Sequence, residues 1–280
     1  LSLYSENIGL AIMMEVPLVI TISQRLGPST GAATAAAQGD IQFMRWCNSG
    51  GYPVIVLSPT NIPESYHLTK RAFKLAKRFR NPVFIATDKE TVMTTESVAV
   101  SEMTETPDWP EVPDESVGEL LDPYRVNGKI HHYTGSSHTE EGHITKDPSI
   151  IADLNERLRE KIESRVDELS LVKSDLDDGA DTLILSYGIS ARSMEAAVNQ
   201  LRAKGEKVSA LTVYSLWPIP EKKILEYLKD VKRIIIPEMN HGQYRQEIER
   251  LTNGTIELVG VNRVDTFLIT PEEIVEAYHG

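Results

Sequence analysis

Apolar and polar positions alternate along this chain in two rhythms. Short continuous apolar runs at 16–23, 52–57, 83–86, 182–186, 208–213, 233–236 and 256–259 predict buried strands. Between them, apolar residues three and four apart predict helices at 1–15, 41–46, about 63–80, about 148–170, 218–228, 243–250 and 271–278. A further helix follows Ser190, with Met194, Ala197, Val198 and Leu201 facing inward and Gly205 ending it. In the helix at 63–80, Leu68, Ala72, Leu75 and Phe79 share a face, while Lys70, Arg71, Lys74, Lys77, Arg78 and Arg80 read as a solvated face. Strands that alternate with helices predict an α/β fold of two open, mostly parallel sheets.

The rhythm lapses between Ser101 and about Pro148, where Pro107, Pro110, Pro113 and Pro123 stand among acidic residues. That pattern predicts a polar, proline-spaced linker without a core of its own, onto which Trp109 would pack. The boundaries expected are therefore a first domain at 1–100, a linker at 101–150, and a connecting helix with a second domain at 151–280. Leu1 already lies inside a helical pattern with no cap before it, which predicts that an N-terminal segment precedes it.

Composition narrows the function classes. A net charge of −12 argues against a nucleic-acid partner and against an anionic membrane surface. No apolar run approaches the ~20 residues that cross a bilayer. The single cysteine, Cys47, leaves no internal disulfide and no cysteine-built iron–sulfur or zinc site within the chain, and fits a reducing, cytoplasmic compartment. Cys47 itself reads as a small buried hydrophobe.

The strand at 16–23 delivers the loop Gln24-Arg25-Leu26-Gly27-Pro28-Ser29-Thr30-Gly31, which runs on to Gln38-Gly39-Asp40. Open parallel sheets place ligands at such strand ends. Arg25 offers a permanent charge and a planar fork of donors matched to carboxylate or phosphate. Ser29 and Thr30 add hydroxyls that donate and accept. The loop lacks both the Gly-Lys-Ser/Thr ending of a Walker A loop and the spacing of a dinucleotide fingerprint. It is a candidate anion site, or else a surface loop with a solvated arginine. Past the strand at 233–236, Glu238 or His241 could do acid–base work; a strand-end turn or a domain contact is the alternative. His131, His132, His138 and His143 invite a metal reading, but they lack H-E-x-x-H spacing and a nearby cysteine set. From the residues alone, no reaction follows.

Several segments in register extend the picture. They are E-V-P-L-V-I-T-I-S-Q-R-L-G-P-S-T-G with its Q-G-D, P-Y-R-V-N-G at 123–128, E-E-G-H at 140–143, S-Y-G at 186–188, L-W-P-I-P at 216–220, P-E-M-N-H-G-Q at 237–243 and G-V-N-R-V-D at 260–265. With them, nearly the whole chain resembles the alpha subunit of 2-oxoacid:ferredoxin oxidoreductases, especially the 2-oxoglutarate type. The resemblance implies oxidative decarboxylation of a 2-oxoacid with coenzyme A to acyl-CoA, CO2 and reduced ferredoxin. It implies thiamine diphosphate with Mg2+ and a 4Fe–4S cluster, the diphosphate, Mg2+ and cluster held by a partner beta subunit. Residues 1–100 would be most of the domain holding the cofactor's pyrimidine end, and the second domain would be of the transketolase C-terminal type. Arg25 matches the family arginine that grips the substrate carboxylate, and Ser29 and Thr30 would line the substrate pocket. A substrate-contacting threonine and a glutamate that activates the aminopyrimidine would precede Leu1, while Leu26 stands where relatives often have glycine. Two alternatives stay open: a non-catalytic structural or regulatory subunit of such a complex, and a transketolase-like transferase.

Overall fold

The computed structural model describes residues 1–117 and 134–280. The P-Y-R-V-N-G segment, His131 and His132 fall outside the described residues. Helix α1 (Ser5–Met13) leads into β1 (Val19–Ser23), and the candidate loop then runs to the short helix α2 (Ile41–Arg45). Next come β2 (Ile55–Leu57), α3 (Ile62–Phe79), β3 (Val83–Thr87) and two short helices, α4 (Lys89–Met93) and α5 (Val100–Thr104). Asn61 caps α3 by accepting from the Glu64 amide, and Pro63 sits in its first turn, where no amide bond is lost.

Helices α6 (Pro148–Glu163) and α7 (Val166–Leu169) cross to the second half: β4 (Val172–Asp175), β5 (Thr182–Ser186), α8 (Ser190–Ala203), β6 (Ser209–Val213), β7 (Ser215–Trp217), α9 (Glu221–Glu226), β8 (Arg233–Glu238), α10 (Arg245–Thr252), β9 (Glu257–Asn262) and α11 (Pro271–His279). Among the described residues the strands form two sheets, ordered β1-β3-β2-β7 and β4-β6-β5-β8-β9. Parallel pairing dominates both, and β7 and β4 join as antiparallel edges. Every residue of β3, β5 and β6 is buried, as strands covered on both faces require. One apolar cluster joins the sheets, with Val56, Phe84 and Ala86 of the first packed with Leu183, Leu211 and Ile234 of the second. Each such side chain, fully buried, contributes about 1.5–3 kcal/mol.

Three expectations need correction. The helix expected at 148–170 breaks into two, α6 ending at Glu163, where the Ser164 hydroxyl bonds back to the Glu160 carbonyl at 2.6 Å. The basic face of α3 is not simply solvated: Arg71, Arg78 and Arg80 are all buried. Arg71 donates to the Pro110 carbonyl at 2.5 Å, and Arg78 grips the Glu168 carboxylate and the Glu115 carbonyl. The segment expected to carry no core of its own lies over α3, with Val112 and Val117 buried in the cluster of Leu68 and Leu75. Trp109 packs against the same cluster, its ring 5.6 Å from Tyr214. Finally, β8 extends through Glu238, and β4 and β7 are strands that the apolar runs did not mark.

Candidate functional site

Strand β1 ends at Ser23, and the Gln24 amide still follows the sheet by donating to the Thr87 carbonyl at 2.9 Å. The chain then leaves the sheet and makes the 25–40 loop. Its base closes on itself: Arg25 N donates to Asp40 Oδ2 at 3.0 Å, and Gly39 N donates to the Arg25 carbonyl at 3.1 Å. A Cβ on Gly39 would stand 2.3 Å from the Arg25 oxygen and 2.6 Å from the Leu26 oxygen, so only glycine allows this closure. At the crest, Gly31 N bonds the Pro28 carbonyl at 3.0 Å.

Arg25 is half-buried at the base of this loop, while Ser29 and Thr30 are exposed at its crest. The Arg25 backbone is fixed, yet its guanidinium has no hydrogen-bond or ion-pair partner among the described residues. A partly desolvated, unpaired fork of donors on a fixed backbone is suited to bind an anion. Beside it, Gln24 is buried and its Oε1 has no partner, which leaves an acceptor for an N–H donor at the same strand end.

Glu238 and His241 separate. His241 is exposed. The Glu238 carboxylate is fully buried and saturated, accepting from Tyr187 OH at 2.9 Å, Tyr244 N at 3.0 Å and Arg245 N at 3.0 Å. It holds the start of α10, where helix amides favour a negative charge. That is the strand-end contact of the two readings. Burial pushes the Tyr187 and Tyr244 hydroxyls well above the ordinary tyrosine range, and the Glu238 charge adds to this. His138 bonds the Ser136 carbonyl at 2.9 Å, and no three His, Cys, Asp or Glu side chains converge as a metal group among the described residues. Cys47 is buried in the shared core, and burial pushes its thiol up.

The sequence motifs meet around Gln38-Gly39-Asp40. Gln38 bonds Tyr187 and Ser190 beyond β5, and Met239 and Asn240 beyond β8. Gln243 Nε2 reaches the Gly39 carbonyl at 2.8 Å, Trp217 Nε1 the Ile41 carbonyl at 3.1 Å, and Asn262 Nδ2 the Asn240 carbonyl at 2.9 Å. The contacts of Gln38, Asp40 and Gln24 were not read from the sequence; the partners of Gln38 lie far off in the chain, and the only signal was their place in the same motif as Arg25. A separate cleft of about 630 Å3 lies against α2, walled by Arg45, Trp46 and Trp217. Arg25 does not line it.

A chain of two open, mostly parallel α/β sheets belongs to the broad class of folds that place their ligands at the carboxyl ends of the strands. Residues 1–156 match the family described as pyruvate flavodoxin/ferredoxin oxidoreductase, thiamine diphosphate-binding, and residues 180–274 match pyruvate:ferredoxin oxidoreductase core domain II. The chain is 33% identical over 287 residues to the 2-oxoglutarate synthase subunit KorA of Methanocaldococcus jannaschii, covering 100% of this chain and 78% of that one. It is 34% identical to the subunit of the same name from Archaeoglobus fulgidus, over 100% of this chain and 76% of that one. A solved 2-oxoglutarate:ferredoxin oxidoreductase from Magnetococcus marinus, with 2-oxoglutarate, coenzyme A and succinyl-CoA bound, superposes with a TM-score of 0.85 at 26% identity. The match covers 99% of this chain and 51% of that one. The chain belongs to the alpha-subunit family of thiamine diphosphate-dependent 2-oxoacid:ferredoxin oxidoreductases.

Proposed function

We propose that this chain grips the carboxylate of a 2-oxoacid, 2-oxoglutarate foremost, through Arg25, as the alpha subunit of a complex that yields acyl-CoA, CO2 and reduced ferredoxin. The observation that carries this reading is the Arg25 guanidinium, left without a partner among the described residues on a closed backbone. A fork of charged donors orients the carboxylate while the adjacent C–C bond breaks, which is where positioning lowers the barrier. Ser29 and Thr30, both exposed, are assigned to the lining of the substrate pocket. Residues 1–100 form the pyrimidine-binding domain, 101–150 the linker and 151–280 the connecting helix and second domain.

Thiamine diphosphate, when bound, supplies the electron sink for decarboxylation. The unpartnered Gln24 Oε1 fits an amino group of its pyrimidine. The described residues do not fit a divalent ion or a cluster, since no three ligand side chains converge and the lone cysteine is buried. As the family resemblance implies, the Mg2+, the diphosphate and the 4Fe–4S cluster are assigned to a partner beta subunit, which would complete the site. No described helix is long and apolar enough to cross a membrane, and the single cysteine fits a reducing, cytoplasmic compartment.

Viologen reduction without oxygen tests the reading. The chain in its complete assembly is given coenzyme A, thiamine diphosphate and, in turn, 2-oxoglutarate, pyruvate and a branched 2-oxoacid. Rates should depend on coenzyme A and be highest with 2-oxoglutarate. Losing hydrogen bonds to a charged group costs about 1.5–3 kcal/mol, so Arg25→Ala should lower kcat/KM by roughly 10- to 150-fold. An unchanged kcat/KM in Arg25→Ala would remove the carboxylate role.

A further inference from the structure

Strand β5 lies between β6 and β8 in the second sheet. The connection through α8 runs from β5 to β6 on one side, and the chain later returns to β8 on the other. The crevice beyond the C-terminal ends of β5 and β8 is thus a topological switch point, the place where open parallel sheets bind their ligands. In this molecule the crevice is already filled from within. Gln38 of the first half, fully buried, places its side-chain amide there.

We propose that Gln38 is a positioning residue, whose amide seats in the ligand crevice of the second sheet as a built-in ligand and so fixes the Arg25 loop for its grip on the substrate carboxylate. The proposal rests on the reading of Arg25 given above. Gln38 Nε2 donates to the Tyr187 carbonyl at 3.0 Å, and Gln38 Oε1 accepts from Ser190 Oγ at 2.7 Å and Met239 N at 3.0 Å. Both acceptor positions of the amide oxygen are thereby used. The backbone is held as well: Gln38 N donates to the Met239 carbonyl at 3.1 Å, and Asn240 Nδ2 donates to the Gln38 carbonyl at 2.8 Å. The crevice is shaped to this side chain. Gly188 has φ +54°, and a Cβ there would stand 2.8 Å from Gln38 Nε2.

The tether reaches Arg25 in one further step, since Gly39 N bonds the Arg25 carbonyl and Asp40 Oδ2 accepts from Arg25 N. Among the described residues nothing holds the Arg25 guanidinium, so its aim depends on the backbone that carries it. A misplacement of about 1 Å at such a group costs on the order of 10²-fold in rate. A purely structural glutamine would stabilise the fold without discriminating among substrates; a positioning glutamine acts on the 2-oxoacid alone.

The test compares Gln38→Met, of similar length, with Arg25→Ala in the complete assembly, reading KM for the 2-oxoacid, KM for coenzyme A, and amide hydrogen exchange. In Gln38→Met, KM for the 2-oxoacid should rise about tenfold or more with KM for coenzyme A unchanged. Exchange at the Arg25 and Gly39 amides should quicken at least tenfold, while the β5 and β8 amides keep their rates. Unchanged KM overturns the proposal whatever the exchange shows, and so does a parallel loss in both KM values with faster exchange throughout the sheet. If Arg25→Ala leaves KM unchanged while Gln38→Met quickens exchange at Arg25, the carboxylate reading fails and the tether survives it. Should Gln38→Met not assemble, Ser190→Ala deletes one bond to the same oxygen and should raise KM for the 2-oxoacid two- to fivefold; no rise there overturns the proposal.

Discussion

At Gly39 the absence of a side chain decides the site. The backbone of Arg25 can close against it only because no Cβ intervenes, as the 2.3 Å and 2.6 Å approaches to two carbonyl oxygens show. Gly39→Ala must push the two loop strands apart. We expect a loss of about 1–3 kcal/mol in denaturant unfolding, the usual cost of overpacking, together with a higher KM for the 2-oxoacid. An unfolding midpoint equal to that of the parent chain would show that the loop yields without cost. Arg25 was legible in the sequence because its chemistry is local: a fork of charge just past an apolar run, among glycines. Gln38 was not, because a glutamine acquires its role only from Tyr187, Ser190 and Met239, which lie 149 to 201 residues away. Glu238 shows the same limit from the other side. A carboxylate at a strand end reads equally as an acid–base group or a clamp, and only its three donors decide for the clamp.

Among the elements, α6 is the strut between the two halves, and a buried ion cluster sets its place. Lys161 Nζ donates to Glu15 Oε2 and to the Arg80 carbonyl, each at 3.1 Å, and Arg157 Nη1 stands 2.5 Å from Glu15 Oε1. Three segments thus converge on the Lys161 ammonium: the turn after α1, the end of α3 and α6 itself. Removing one partner of a buried pair costs about 3–5 kcal/mol, because the other charge stays buried. Lys161→Met should lose about 3 kcal/mol in denaturant unfolding near neutral pH, and adding Glu15→Gln should recover part of that loss. A double variant as unstable as the single one would place the effect in packing rather than charge. The apolar periodicity predicted α6 and missed its end, since the break at Ser164 and Arg165 falls inside a stretch whose apolar spacing continues to Leu169. The arginines of α3 were misread for a related reason. Charge predicts exposure only until a partner is known, and Glu115, Pro110 and Glu168 supply the partners.

The whole molecule combines these buried groups into a pH dependence. Burial drives Lys161 down to about 8 against an ordinary value of 10.5. Above pH 8 the fold has released a proton that the unfolded chain still holds, so this group adds stability as pH rises toward 10.5. Tyr187, Tyr214 and Tyr244 act in the opposite sense. Burial raises all three, and the neighbouring Glu64 charge raises Tyr214 further through its hydroxyl bond of 2.6 Å. Their contribution is intact below the unfolded tyrosine value of about 10 and falls by roughly 1.4 kcal/mol per group per pH unit above it. For a fold stable by about 5–15 kcal/mol, three such groups acting together exhaust the margin within a few pH units. Unfolding free energy should therefore hold or rise between pH 8 and 10 and then fall steeply, with the last part of the tyrosinate absorbance appearing together with loss of the native circular dichroism. In Tyr214→Phe the alkaline slope should drop by about a third, and in Lys161→Met the rise between pH 8 and 10 should vanish. If the tyrosinate absorbance of all ten tyrosines forms while the fold persists, these rings ionise in place. The shared core, in which Tyr187 and Tyr244 pack with residues of both sheets, would then be open to solvent.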